Sequence, residues 1–185
     1  MSGVDRAALL IPGAGYSADR PLLHFAAAVF ERHGWTTVPV SWPSPLPPRS
    51  SDLVAWFQQL RSYAVRHVEP LLDEQTAPRI ALVGKSMGSF AAAPAADRGL
   101  PGIWLTPALR DTELAPDLRR ATAPFLLAGG TADRIWDSAV AHSFGQPVFE
   151  ASCADHGLEI PGDPLASIDI LRDLTVAMDD FVRHL

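Results

Sequence analysis

Six short apolar runs alternate with longer amphipathic segments along the 185 residues of this chain, and this alternation constrains the fold more than any other feature. Apolar runs followed by helical periodicity are typical of β-α units, whose strands lie parallel with helices on both faces of the sheet. The sequence therefore predicts a three-layer α/β/α domain with a mostly parallel sheet of about six strands. The predicted strands cover residues 7–11, 36–40, 79–83, 102–106, 125–128 and 148–151.

The segments between these strands carry apolar residues at helical spacing. Pro39 favours an edge position for the second strand, because proline cannot donate a hydrogen bond to a neighbouring strand. The proline-rich residues 41–51 form a loop, after which Asp52 can cap the next helix. No internal repeat or linker interrupts the pattern, so a single domain over residues 1–185 is expected. The predicted helices cover about residues 20–33, 53–71, 87–98, 114–120 and 165–182.

The charge and the cysteine content exclude several kinds of partner and site. The formal net charge is −6 and no lysine or arginine cluster stands out, which argues against nucleic acid and anionic membranes as partners. Cys153 is the single cysteine, so no intrachain disulfide or thiolate zinc site is expected, and we expect its side chain to be buried. No apolar run approaches the ~20 residues that span a bilayer. No signal-peptide pattern begins the chain, and we therefore expect a cytoplasmic protein.

Residues 84–88 read Gly-Lys-Ser-Met-Gly and lie where the third strand gives way to a helix. A serine at the tip of such a turn exposes its hydroxyl, and the strained backbone requires small residues two positions before and after it. A lone G-x-S-x-G is a weak signal, but the strand before it and the helix after it strengthen this one. Ser86 is therefore the candidate nucleophile, with an ordinary helix N-cap as the alternative role.

Two nucleotide-binding motifs are matched only in part. A P-loop requires a glycine five residues before Gly84, and that position is Arg79 within a strand. Residues 13–15 read Gly-Ala-Gly after the first strand, as in a dinucleotide fingerprint. That fingerprint also requires an acidic residue at the end of the second strand, where this chain has none. Neither nucleotide site is predicted.

A serine nucleophile needs a base to take its proton and an acid to orient that base. The carboxyl ends of parallel strands share one edge of the sheet, so the partners should follow later strands. Asp133 follows the fifth strand and His156 the sixth, which makes them the candidate acid and base. Asp137 and Asp111 are alternative acids, although Asp137 more naturally caps the helix that begins at Ser138. The other histidines lie in predicted helices or beside the C-terminus: His24, His33, His67, His142 and His184.

In the loops that carry Ser86, Asp133 and His156, and over nearly its whole length, the sequence resembles the α/β-hydrolase family. The family's nucleophile turn is similar to residues 84–88, its acid loop to residues 129–133 and its oxyanion loop to residues 12–15. Its histidine loop is similar to His156 and Gly157. The resemblance is greatest to the small, lid-less members that lack the first two strands of the usual eight. It implies the spatial strand order 2-1-3-4-5-6.

The resemblance implies a serine hydrolase that cleaves an ester, thioester or related acyl bond through an acyl-enzyme. The oxyanion hole would use the backbone N–H groups of Met87 and Ala14, with Gly15 as the alternative second donor. The implied partner is a small-molecule acyl substrate, without a metal or organic cofactor, for a monomer or small homo-oligomer. Two alternatives stay open: a non-catalytic binding or regulatory protein on the same fold, and an acyltransferase or perhydrolase.

Four aromatic side chains are candidates for the substrate pocket. Trp42, Trp104 and Trp136 lie near predicted strand ends, where they either line an apolar acyl pocket or pack above the core. Tyr16, in the loop after the first strand, is the fourth candidate. Lys85, beside the serine, is expected to be a solvated side chain, with contact to an anionic substrate as the alternative.

Overall fold

Six parallel strands form one sheet in the computed structural model, which describes residues 5–110 and 113–185. The strands are β1 (Arg6–Ile11), β2 (Thr36–Pro39), β3 (Arg79–Lys85), β4 (Gly102–Leu105), β5 (Phe125–Gly130) and β6 (Val148–Ala151). Their spatial order is β2-β1-β3-β4-β5-β6, and every neighbouring pair is parallel. The predicted strand order and the edge position of β2 are both confirmed.

Helices cover both faces of the sheet, as the alternating pattern predicts. They are α1 (Pro21–Arg32), α2 (Leu53–Asp73), α3 (Ala92–Arg98), α4 (Leu114–Arg119), α5 (Ser138–His142) and α6 (Pro164–Arg183). Asp52 caps α2 by accepting a hydrogen bond from the N–H of Ala55 at 3.1 Å, as expected. The single helix predicted over residues 87–98 is instead a 3₁₀ segment, Ser86–Ala91, that leads into α3. Short 3₁₀ turns of this kind are frequent at the ends of α-helices.

Successive residues of each strand point to opposite faces, so each buried strand contributes to two apolar clusters. Leu9 and Leu82 pack with side chains of α2, α3 and α4 on one face. Leu10 and Val83 pack with α1 and α6 on the other. Because all six strands are parallel, the loops after β1, β3, β5 and β6 meet at the carboxyl edge of the sheet.

Candidate active site

The turn at Ser86 has the strained backbone that its sequence predicts. Ser86 follows β3 directly and has φ = +53°, in the left-handed region that non-glycine residues avoid. A Cβ on Gly84 would collide with the backbone of Gly88, and a Cβ on Gly88 would collide with the carbonyl group of Ile11. Glycine is therefore required at both positions by close backbone approach.

Because of this strain, the variants Ser86→Gly and Ser86→Ala, which both lack the hydroxyl, should differ in their free energy of unfolding. A left-handed conformation costs a non-glycine residue about 1–2 kcal/mol, and glycine gives back about 0.4–1 kcal/mol through the greater entropy of the unfolded chain. Ser86→Gly is therefore expected to be about 0.5–1 kcal/mol more stable than Ser86→Ala in urea unfolding. Equal stability, or a more stable Ser86→Ala, would show that the turn is relaxed.

Ser86, His156 and Asp133 form a continuous chain of hydrogen bonds. Ser86 Oγ lies 2.9 Å from His156 Nε2, and His156 Nδ1 lies 2.7 Å from Asp133 Oδ2. With the proton on Nδ1, the imidazole donates to the carboxylate and accepts from the hydroxyl. The Asp133 side chain is 3% exposed and that of His156 is 39% exposed. The acid is therefore enclosed, while the imidazole can be reached from outside.

The acid loop is packed directly against the histidine loop. The N–H of Asp133 donates to the carbonyl oxygen of Gly130 at 3.0 Å, and the N–H of Ala132 donates to that of Ala154 at 3.0 Å. A Cβ on Gly130 would collide with the carbonyl group of Ala154. The second Asp133 oxygen accepts from the N–H of Ile135 at 3.1 Å. These contacts fix the carboxylate relative to the imidazole.

Asp155 shapes the histidine loop. Its Oδ1 accepts hydrogen bonds from the N–H groups of Gly157 at 2.7 Å and Glu159 at 3.2 Å. Asp155 is partly exposed, and it turns the chain because an aspartate can bond the backbone two residues ahead. The loop that presents His156 is held by this side chain.

Asp137 has a structural role, and Cys153 lies in the loop that leads to His156. Asp137 caps α5 by accepting from the N–H of Val140 at 3.0 Å, which is the structural role considered for it. Asp111 lies outside the described residues. Cys153 was expected to be buried and is exposed. Its φ of +61° shows that the chain turns sharply here, just after β6. The N–H of Cys153 donates to Thr131 Oγ1 at 2.8 Å.

The loop after β1 lies against the nucleophile turn, where the oxyanion hole is predicted. A Cβ built on Gly13 would lie 3.2 Å from the Cβ of Ser86. Gly15 has φ = +69°, which makes this loop turn back. Met87 is in the first turn of the 3₁₀ segment, where N–H groups have no intrahelical acceptor. The assignment of Met87 and Ala14, or alternatively Gly15, as oxyanion donors stays a prediction.

Two of the four predicted pocket residues line cavities at this edge. Tyr16 lines two adjoining cavities of about 640 Å³ and 650 Å³, and Trp42 lines the second of them. Trp104 and Trp136 are each 2% exposed and belong to the core, so for them the pocket interpretation is wrong. Trp104 points from β4 into the face under α2 and α3, and Trp136 Nε1 donates to Glu150 at 2.7 Å.

The expectation of a solvated Lys85 is also wrong. This residue is 5% exposed, and its Nζ donates to the backbone oxygen of His156 at 3.2 Å. Nζ lies 5.1 Å from the ring centroid of Tyr16, a cation–π arrangement. Burial lowers the pKa of Lys85 to about 8. Its ammonium thus connects the nucleophile turn to the histidine loop, which the sequence did not indicate.

Solved structures with the same architecture identify the fold, whereas no family model and no curated protein matches the sequence. A predicted CIB-like hydrolase from Thermoplasma acidophilum has a TM-score of 0.70 at 17% identity, over 100% of this chain and 89% of that one. An α/β serine hydrolase without a lid, from Xanthomonas campestris, has a TM-score of 0.63 at 20% identity, over 98% and 83%. The chain has the α/β-hydrolase fold. Est1E from Butyrivibrio proteoclasticus, solved with ferulic acid, has a TM-score of 0.68 at 14% identity, over 97% and 88%.

On this α/β-hydrolase fold, the candidate triad occupies the edge where the loops that follow the strands meet. At these identities the likeness concerns the fold, so the reaction is argued from the side chains of this chain. In residues 5–110 and 113–185, no helix is long and apolar enough to cross a membrane. The same residues hold no cluster of three or more potential metal-ligating side chains.

Proposed function

We propose that this chain is a serine hydrolase that cleaves an ester, thioester or related acyl bond of a small molecule. The observation that carries the proposal is the hydrogen-bonded series of Ser86, His156 and Asp133, with separations of 2.9 Å and 2.7 Å. The strained backbone of Ser86 supports it independently, since strain of this kind is concentrated at functional sites.

In the proposed reaction, Ser86 Oγ attacks the carbonyl carbon while His156 Nε2 accepts the hydroxyl proton. Asp133 keeps the Nδ1 proton in place and stabilises the imidazolium that forms. His156 then gives its proton to the leaving group, and an acyl-enzyme remains on Ser86. Water, activated by the same histidine, hydrolyses this intermediate. Backbone N–H groups at Met87 and in the loop after β1 would stabilise the oxyanion.

The approach to the site is open in the described part of the chain. Between β4 and β5, residues 106–110 and 113–124 contain α4 as their only helix. The imidazole of His156 is partly exposed, whereas its acid partner is enclosed. We therefore expect small or extended acyl substrates to be preferred over long-chain lipids.

A panel of nitrophenyl esters and thioesters of graded acyl length tests the proposal. We expect turnover of the short acyl esters, with kcat/KM falling for long chains because the approach to the partly exposed His156 is open. Absence of turnover across the whole panel would instead favour a non-catalytic binding protein on this fold. Hydrolysis confined to long-chain lipids would contradict the open site.

A further inference from the structure

The cavity of about 640 Å³ beside His156 contains two cations that the proposed reaction does not use. Lys85 is buried and lines this cavity, whereas Arg20 is exposed and lines both this cavity and the adjoining one. Within residues 5–110 and 113–185, neither side chain lies within 4.0 Å of a carboxylate oxygen. Two like charges beside one cavity, without an ion pair in the described residues, are an arrangement that an anion would stabilise.

The ammonium of Lys85 has hydrogen-bonding capacity to spare. It carries three N–H donors, and the described residues supply one acceptor, the backbone oxygen of His156. The face of Tyr16 covers another side, and the guanidinium of Arg20 lies 5.5 Å from the centroid of the same ring. A buried charge is costly unless it is hydrogen-bonded or paired. An anionic acceptor in the cavity would relieve that penalty.

The position of this cavity indicates which part of a substrate it receives. The loop that is predicted to hold the oxyanion lines the other cavity, together with Trp42. His156 lines the first cavity, and its Nε2 must pass a proton to the leaving group. His156 lines this cavity and not the other, so a leaving group that receives its proton would lie on the Lys85 side. The remaining walls of this cavity are largely apolar and include Leu22, Leu158, Ile160, Ile168 and Leu171.

We propose that this cavity binds the leaving group of the substrate, and that this group carries a carboxylate or similar anion on an apolar or aromatic framework, held by Lys85 and Arg20. The inference rests on the proposed hydrolase function. Glu159 is exposed and also lines the cavity, so its carboxylate competes with the anion for these cations. Removing the Glu159 charge should increase the preference for an anionic leaving group, whereas removing the charge of Lys85 or Arg20 should reduce it.

Two acetyl esters that differ mainly in leaving-group charge test this: 4-acetoxybenzoate and its methyl ester. Comparing each variant with the wild type cancels the different intrinsic reactivities of the two esters. The quantity measured is the ratio of their kcat/KM values at pH 7. A charge-assisted hydrogen bond of about 1.5–3 kcal/mol corresponds to a ~10- to 150-fold loss of this ratio in Lys85→Met. Arg20→Gln should lower it less, because Arg20 is solvated, and Glu159→Gln should raise it. Arg49→Gln, whose guanidinium stacks on Trp56, is the control and should leave it unchanged.

The ratio separates charge recognition from structural damage. Both esters form the same acetyl-enzyme, so a variant that only misplaces His156 lowers both rates and leaves the ratio unchanged. An unchanged ratio in Lys85→Met and Arg20→Gln, with the methyl ester still hydrolysed, would overturn the anion site while the hydrolase function stands. If the wild type hydrolyses neither of the two esters, the anion site and the proposed hydrolase function are both overturned.

The pH dependence of the wild-type ratio is a second readout. Burial and Arg20 lower the pKa of Lys85 to about 8, against the raising effect of Asp133 and Asp155. Above that pH the ammonium loses its charge, so the ratio should fall. Lys85→Met should lack this fall. The other titratable groups lining the cavity are Tyr16, whose burial raises its pKa above 10, together with His156 and Glu159. A wild-type ratio that stays constant through pH 8 would contradict a role for the Lys85 charge.

Discussion

Ser86→Ala is expected to lower kcat for an activated acetyl ester by about 10⁴- to 10⁶-fold. In the proposed mechanism the Ser86 hydroxyl, 2.9 Å from His156 Nε2, forms the acyl-enzyme, and alanine has no atom that could take its place. The remaining rate would come from the oxyanion donors and substrate binding. Steady-state turnover of nitrophenyl acetate by matched preparations measures the loss. A Ser86→Ala protein that keeps a tenth or more of the wild-type rate would contradict the mechanism.

Cys153→Ala is the matched control for that experiment. Cys153 is an exposed thiol in the loop before His156, so it is a second nearby side chain that could react with an activated ester. The proposed mechanism gives it no role, and its replacement should leave kcat within about twofold of wild type. A large loss in Cys153→Ala, together with a small loss in Ser86→Ala, would move the nucleophile to the cysteine.

Asp133→Asn is expected to lower kcat by about 10⁴-fold with little change in structure. The carboxylate accepts the Nδ1 proton of His156 at 2.7 Å, whereas an amide can present its NH₂ group to the same nitrogen. The imidazole would then carry its proton on Nε2 and could no longer accept one from Ser86. The loss should appear in kcat measured with nitrophenyl acetate, while the circular dichroism spectrum stays unchanged.

Asp137→Asn provides the corresponding control for the acid. Asp137 caps α5, and asparagine is an equally good N-cap, so both stability and turnover should be preserved. If Asp137→Asn rather than Asp133→Asn loses activity, the acid has been assigned to the wrong residue.

The strands and the three-residue site could be predicted because both depend on short-range patterns. Apolar runs of four or five residues predict the strands, and parallel strands bring the residues that follow them to one edge. Ser86, Asp133 and His156 each follow such a run, so chain order alone placed them together. A Cβ at Gly84 or Gly88 would collide with neighbouring backbone, so glycine is required at both positions. This requirement is why the turn can be recognised from the sequence.

The sequence-based predictions that are wrong concern side chains whose surroundings depend on how one loop folds over another. Lys85 is buried because the loop of His156 and the ring of Tyr16 close over it, and no spacing within residues 84–88 indicates that. Trp104 and Trp136 lie near strand ends, but their rings turn into the covered face of the sheet. A periodic pattern predicts which residues are apolar and adjacent, but it does not predict which loop covers them.

Covalent labelling of the folded protein by a fluorophosphonate tests the central claim most directly. The probe reacts with an activated serine hydroxyl, so peptide mapping by mass spectrometry should find a single adduct on Ser86, formed in step with the loss of esterase activity. Asp133→Asn should label far more slowly, and urea-unfolded protein should not label. An adduct on another residue, or no adduct on the folded wild type, would contradict the assignment of Ser86, His156 and Asp133 as a catalytic triad.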